Sequence, residues 1–341
     1  MRNSRKLRST RMPLHGSRQV AGLMLVATVI VGSVASTARA QTAAVGYASE
    51  RFNPVAPGNS WLVMDELKLE GPLGGGISFV SSYARHPVRV SLPGSSRTLS
   101  VVSDQAFVDV GLTVLIDRFR FTLDLPDPAY AAGQSGTLGA YKFNAPLVNF
   151  AKYPDKISDV RFAFDSRLLG SVDGPWRIGV SAQLFVPSGE RADYVTDNTY
   201  RSVLRAQFAG NWGLLNHAAY LGVHIRPRDD SVQLSSPSLG GPRGSEFVFG
   251  FAAAPEFVLG SSGLHRLRVG PEVFGESAFK SAFGKSTTAL EALLSANYTH
   301  TNRANGVVRL KLGVGRGLVS DFGAPTWRTV VGLEITGRVH R

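Results

Sequence analysis

The sequence predicts an all-β chain, a transmembrane antiparallel up-and-down β-barrel, and three observations carry that expectation. Segments of about 10–14 residues alternate apolar and polar side chains with period two. No apolar run after residue 40 is long enough for a membrane helix. Short and long polar connections alternate between the segments, as periplasmic turns and outer loops do in bacterial barrels.

The first element is a leader. Arg2, Arg5, Lys6, Arg8, Arg11 and Arg18 form a basic stretch without an acid, and Val20 to Val34 is apolar or small. Ala38-Arg39-Ala40 then supplies a small-x-small cleavage pattern. Residues 1–40 read as a signal peptide and residues 41–341 as the barrel, with Gln41 expected at the mature N-terminus. No cysteine occurs anywhere, which excludes lipoprotein anchoring, disulfides and thiolate metal sites.

The leader also explains the charge. The chain has 37 Lys+Arg against 25 Asp+Glu, but seven of the cations and none of the acids lie in residues 1–40. The remainder carries 30 against 25, spread rather than clustered, so nucleic-acid binding is not expected. The expected surroundings are outer-membrane lipid, reached with the help of periplasmic chaperones and the barrel-assembly machinery.

The strands follow in order. Phe119, Phe121, Leu123 and Leu125 interleave with Arg118, Arg120, Thr122 and Asp124; Val160, Phe162 and Phe164 interleave with Asp159, Arg161, Ala163 and Asp165. Ile178, Val180 and Leu184 alternate with Arg177, Ser181 and Gln183, and Val308, Leu310, Leu312 and Val314 with Arg309, Lys311 and Gly313. Trp327, Val331, Leu333 and Ile335 alternate with Arg328 and Glu334. The length exceeds the usual soluble strand and suits a tilted membrane crossing.

Short connections are expected at Glu70–Gly74, Ile116–Asp117, Gly170–Pro175, Asn211–Leu214, Gly260–Gly263 and Thr301–Asn305. Long ones are expected at Arg85–Thr98, Pro126–Ser158, Pro187–Arg201, Arg228–Gly244, Glu276–Thr287 and Arg316–Pro325. Counting from Trp61 gives about 13 strands, and an even total requires one more. Ala44–Phe52 supplies it, with Asn53–Ser60 as the first outer loop, making about 14 strands with both termini in the periplasm. Twelve strands, with Ala44–Phe52 as a lead-in, is the alternative.

Catalytic and metal signatures are missing from the sequence. Gly284-Lys285-Ser286-Thr287 ends like a phosphate loop, but Phe279 stands where its first glycine belongs. Gly275-Glu276-Ser277-Ala278-Phe279 lacks the closing glycine of a nucleophile elbow. His217 and His224 fall on opposite faces of one strand by parity, and Asp229-Asp230 with Asp193 and Asp197 are loop acids with calcium as the minor reading. A barrel phospholipase with an outer-face Ser–His pair is the enzymatic alternative, selected by no motif. No enzyme activity, cofactor or metal is expected.

The lumen carries what remains. By parity it holds Arg118, Arg120, Arg161, Arg167, Arg177, Arg205, Arg226, Arg266, Arg268, Arg309, Lys311 and Arg328, with Asp109, Asp124, Asp159, Asp165, Glu256, Glu272, Glu291 and Glu334. Two readings follow. Paired charges close the interior and make a structural or interaction barrel; a water-filled interior makes a passive, weakly anion-preferring, porin-like channel. Pro126–Ser158 or residues 41–58 are the candidate plugs, and no long N-terminal hatch is expected.

The chain also resembles the N-terminal barrel region of the OmpA-family proteins of myxobacteria. The landmarks are Arg51-Phe52-Asn53-Pro54, Trp61-Leu62-Val63-Met64-Asp65, Arg167-Leu168-Leu169-Gly170 and Leu184-Phe185-Val186-Pro187-Ser188-Gly189. They continue with Gly270-Pro271-Glu272-Val273-Phe274-Gly275, Leu290-Glu291-Ala292-Leu293-Leu294 and Gly323-Ala324-Pro325. The resemblance implies a Gram-negative outer-membrane barrel. Such proteins continue into a peptidoglycan-binding domain whose sequence is not present here, so cell-wall tethering is not carried over.

Overall fold

The computed structural model describes residues 42–91, 98–227, 244–284, 287–302, 306–319 and 323–339. The expected leader lies outside them, as do Asp229 and Asp230. Twelve strands make the wall: β2 (Leu73–Ser91), β3 (Thr98–Ile116), β4 (Phe119–Ala132), β8 (Val160–Leu169), β9 (Arg177–Val186) and β10 (Arg201–Trp212), then β11 (Leu215–Ile225), β12 (Glu246–Leu259), β13 (His265–Ala278), β14 (Thr288–Thr301), β15 (Val307–Val319) and β16 (Trp327–Val339). Each is antiparallel to both neighbours, and β2 pairs with β16 and β3 to close the barrel. The short strands β1 (Thr42–Ala43), β5 (Gly136–Leu138) and β6 (Tyr141–Phe143) form a separate small sheet, and β7 (Val148–Asn149) adds to β4 beyond the end of β8.

The outward parity of the wall follows the alternation in the sequence. Phe121, Phe162, Val180, Leu204, Leu221, Phe251, Leu294, Leu310, Leu312 and Val331 stand exposed around the barrel. A soluble protein does not leave a continuous apolar belt facing water. Trp176, Trp212 and Phe257 are exposed near one rim, and Tyr130, Tyr200, Phe279 and Trp327 near the other, as in the aromatic girdles that mark the two membrane interfaces.

Among the described residues, the short connections expected from the sequence gather at one end. The tightest turns use left-handed backbone at Asp117 (φ 52°) and Gly213 (φ 61°), which a two-residue hairpin turn requires. The strand ends that the long connections join lie at the other end, where β2 and β3 each run to 19 residues. Their buried Val88, Val90, Val101 and Val102 pack with Leu138 and Phe143 of the small sheet and with Tyr47 and Tyr194.

The wall has twelve strands, the alternative count, rather than fourteen. The two extra strands expected before Leu73 are not strands. Every residue from Trp61 to Leu67 is buried, so this stretch has no side to offer to lipid. It and Ala44–Phe52 lie inside the barrel. The termini correct a second expectation: Thr42 pairs with Tyr141 at the long-loop end, whereas β16 runs to the short-turn end, so the described chain does not begin and finish on one side.

Candidate functional site

Residues 44–72 run through the lumen from the long-loop end to the short turns without joining any strand. A buried segment of this kind needs acceptors and donors for its backbone, since water is excluded. The loops at the long-loop end and the wall below them supply them.

At the long-loop end the Ala44 amide donates to Lys142 O (2.8 Å), the Ser49 amide to Tyr194 O (3.1 Å) and the Ala48 amide to Asp197 Oδ1 (2.9 Å). Asp197 also accepts from Arg226 Nη2 (2.7 Å) and faces Arg201 Nε at 3.7 Å. Burial pushes this loop carboxyl up, but Arg226, Arg201 and the Ala48 amide outweigh it and hold it well below the usual carboxylate range. Just inside, Arg51 bridges Glu246 (2.8 Å) and Glu276 (2.5 Å), and Glu50 pairs with Arg328 (2.7 Å), which also holds Glu291 (2.7 Å).

Midway, Glu272 receives three successive amides: Leu62 and Val63 at 2.8 Å and Met64 at 3.3 Å. Consecutive N–H groups converging on one carboxylate make an anion nest, here with the anion supplied by the wall. The Gly58 amide reaches Glu334 at 2.8 Å, and Arg161, paired with Asp124, donates to Pro54 O at 2.7 Å. Below this level Asp65 pairs with Arg120, which also holds Asp165 (2.8 Å), and Glu66 pairs with Arg268, which also holds Glu256 (2.5 Å). Arg177 donates to Glu66 O (2.8 Å) and Arg167 to Leu69 O (3.0 Å).

Packing matches the polar contacts. A Cβ at Gly313 would stand 2.4 Å from Leu62, one at Gly250 2.5 Å from Met64, and one at Gly179 2.6 Å from Leu67. Three inward-facing wall glycines thus form sockets for three apolar side chains of the segment. Trp61 is buried with the Arg268 guanidinium 4.9 Å from its ring. The fit is that of a built plug.

The predicted lumen set is largely inward. Arg120, Arg161, Arg177, Arg268, Lys311, Asp124, Asp165, Glu272, Glu291 and Glu334 are buried inside. Arg205 lies over the Tyr220 ring at 4.4 Å, and Glu334 pairs with both Arg309 and Lys311. Two residues depart from the expectation. Arg118 belongs to the turn between β3 and β4 and is half exposed beside Asp117. Arg266 sits half exposed at the short-turn rim, paired with Glu256 at 3.2 Å.

The sequence reading missed the plug's own charges, Glu50, Arg51, Asp65 and Glu66, and the wall acids Glu246 and Glu276. The available signal was a run of apolar and acidic residues that alternates poorly, just before the first clear strand. Three landmark stretches also meet there, since Glu272 of Gly270–Gly275 binds Trp61–Asp65 and Phe274 contacts Phe52 of Arg51–Pro54 (6.3 Å).

The cluster His224, Glu246 and Glu276 brings three ligand-type atoms within 4.8 Å. Arg51 and Arg226 already contact its carboxylates, so two positive charges stand where a cation would need to sit. Asp193, considered for calcium, instead pairs with Lys156 at 2.9 Å. His217 packs against outward Trp212 (ring centroids 4.2 Å apart) while His224 points inward, as parity indicated.

Two cavities of about 20–30 Å³ lie along the plug, and one of about 270 Å³ lies at the short-turn end.

No family model matches the chain, and no curated protein matches it. The resemblance to the myxobacterial OmpA-family barrels therefore rests on its landmark residues alone. Among solved structures the chain is similar to the monoaromatic hydrocarbon channel CymD (9% identity, 86% of this chain and 99% of that one, TM-score 0.43). It is also similar to a FadL homologue of Pseudomonas aeruginosa (8%, 87% and 99%, TM-score 0.36). A higher TM-score, 0.50, relates it to an outer membrane channel from Pseudomonas putida F1, at 13% identity over 83% of this chain and 99% of that one. That likeness and the apolar belt agree on one conclusion: the chain has the fold of an outer-membrane β-barrel.

Proposed function

We propose that this chain is an outer-membrane barrel kept closed by its own N-terminal segment, with a structural or interaction role in the Gram-negative envelope. In this reading the leader directs export, chaperones and the assembly machinery deliver the chain, the long loops face outward and the short turns face the periplasm. The observation that carries it is the ring of plug-to-wall contacts, with Glu272 binding three plug amides and Arg51, Asp65 and Glu66 each paired to the wall. Fixed charges spent on these pairs are not available to select ions.

A second reading has its own support. The plug shares no strand pairing with the wall, so it can leave without breaking a ladder, and a barrel of this size emptied of it would admit water. The chain would then be a gated channel, and the fold likeness to an outer-membrane channel favours that. Planar-bilayer recordings of the full chain test both. Insertion with no conductance steps supports the closed barrel. Steady open steps in the unmodified protein overturn it, and rare voltage-dependent steps select the gated reading.

A further inference from the structure

The cavity of about 270 Å³ at the short-turn end lies between the foot of the plug and the wall, and its lining is one-sided in charge. Lys68, Arg120, Arg309 and Arg338 line it, and no carboxylate does. Leu69, Leu115 and Val307 make an apolar wall beside them. The size suits several waters or one small organic ligand rather than a drug-sized one.

The four cations are not equally committed. Arg120 is neutralised by Asp65 and Asp165, and Arg309 shares Glu334 with Lys311. Arg338 spends one N–H on Lys68 O (2.9 Å), and among the described residues neither Arg338 nor Lys68 pairs with a carboxylate. Glu70 and Asp173 act on Arg338 only from beyond contact distance.

We propose that this cavity binds a small amphipathic monocarboxylate, its carboxylate held by Arg309, Arg338 and Lys68 and its apolar body against Leu69, Leu115 and Val307. A planar carboxylate fits the fork of an arginine. The apolar wall distinguishes this ligand from a fully hydrated inorganic anion. Lys68 and Leu69 come from the plug, so the site exists while the plug is seated and does not depend on the lumen ever opening.

The test uses the full chain in lipid nanodiscs, titrated with 4-fluorobenzoate and followed by fluorine NMR. Saturable binding is expected, weakened by about tenfold or more in Lys68→Gln/Arg338→Gln. Thr336→Phe, which fills the cavity, should abolish it. The neutral 4-fluorobenzyl alcohol should bind at least about tenfold more weakly than the acid. Equal binding of acid and alcohol, binding untouched by Lys68→Gln/Arg338→Gln, or no saturable binding overturns the proposal. Displacement by inorganic phosphate at equal strength overturns the amphipathic assignment. Should Thr336→Phe fail to fold, as heat-modifiability in detergent would show, the Lys68→Gln/Arg338→Gln comparison decides alone.

Discussion

Glu272→Gln should loosen the plug without harming the wall. Glu272 is fully buried, and among the described residues no cation pairs with it. Its charge is instead held by the Leu62, Val63 and Met64 amides, two of them at 2.8 Å. Glutamine keeps the shape and one acceptor oxygen but turns an NH₂ toward a donor. A hydrogen bond to a charged group is worth about 1.5–3 kcal/mol, and a buried amide left unsatisfied costs about 1–3 kcal/mol. Loss of one such bond, with the charge assistance removed from the others, gives about 2–4 kcal/mol against the seated plug. That corresponds to roughly 30- to 1,000-fold in the seated-to-released ratio. Hydrogen exchange reads this directly: a peptide covering residues 60–67 should exchange faster by that factor, while peptides from β9, β12 and β15 stay protected. Unchanged protection of residues 60–67 would refute the argument. Equal loss across plug and wall would also refute it, because the two would then be one cooperative unit.

Leu310→Arg, on the lipid face, should cost about 2–4 kcal/mol in reversible folding into bilayers if it lies near midplane. Ser181→Arg should also be costly, about 1–3 kcal/mol by overpacking, because Ser181 is buried in a filled lumen; a negligible cost would show that the lumen is open. Because Asp197 is depressed when folded, its contribution is present above the ordinary carboxylate range and is lost as pH falls through and below it. Exchange protection of residues 46–50 should therefore persist at about pH 5 and fail only in stronger acid, whereas Asp197→Asn should weaken it at neutral pH. An epitope placed at the exposed Lys152 should be labelled on intact cells; labelling only after the outer membrane is opened would reverse the proposed orientation.

The wall was legible because a barrel strand has two faces with different solvents. Leu310 and Leu312 meet lipid while Arg309 and Lys311 face the lumen, and a period of two records that difference residue by residue. The short turns were legible through Asp117, Gly170, Gly213 and Gly260, which take left-handed backbone. The plug was legible only in part: residues 41–58 stood as one of two candidate plugs, but Trp61 to Leu67 read as a strand, because its solvent is protein on every side. Trp61 to Leu67 satisfies its amides with side chains such as Glu272 and Arg177, distant in sequence, so no local period marks it. Arg118 was misplaced for a related reason. Parity runs unbroken along a strand but loses its meaning at the turn that Asp117 begins.

The path of residues 44–72 also constrains the order of assembly. The segment precedes β2 in the chain, yet its far end emerges at the rim opposite the one from which β2 starts. A closed cylinder would have to be threaded by a chain carrying Arg51, Asp65 and Glu66 through a passage lined with their partners. Laying the same segment down before β16 meets β2 avoids that step. Its contacts reach β4 through Asp65, β13 through Glu66 and β16 through Glu50, widely spaced around the circumference. The segment then serves as a mandrel, setting the bore around which the last seam closes.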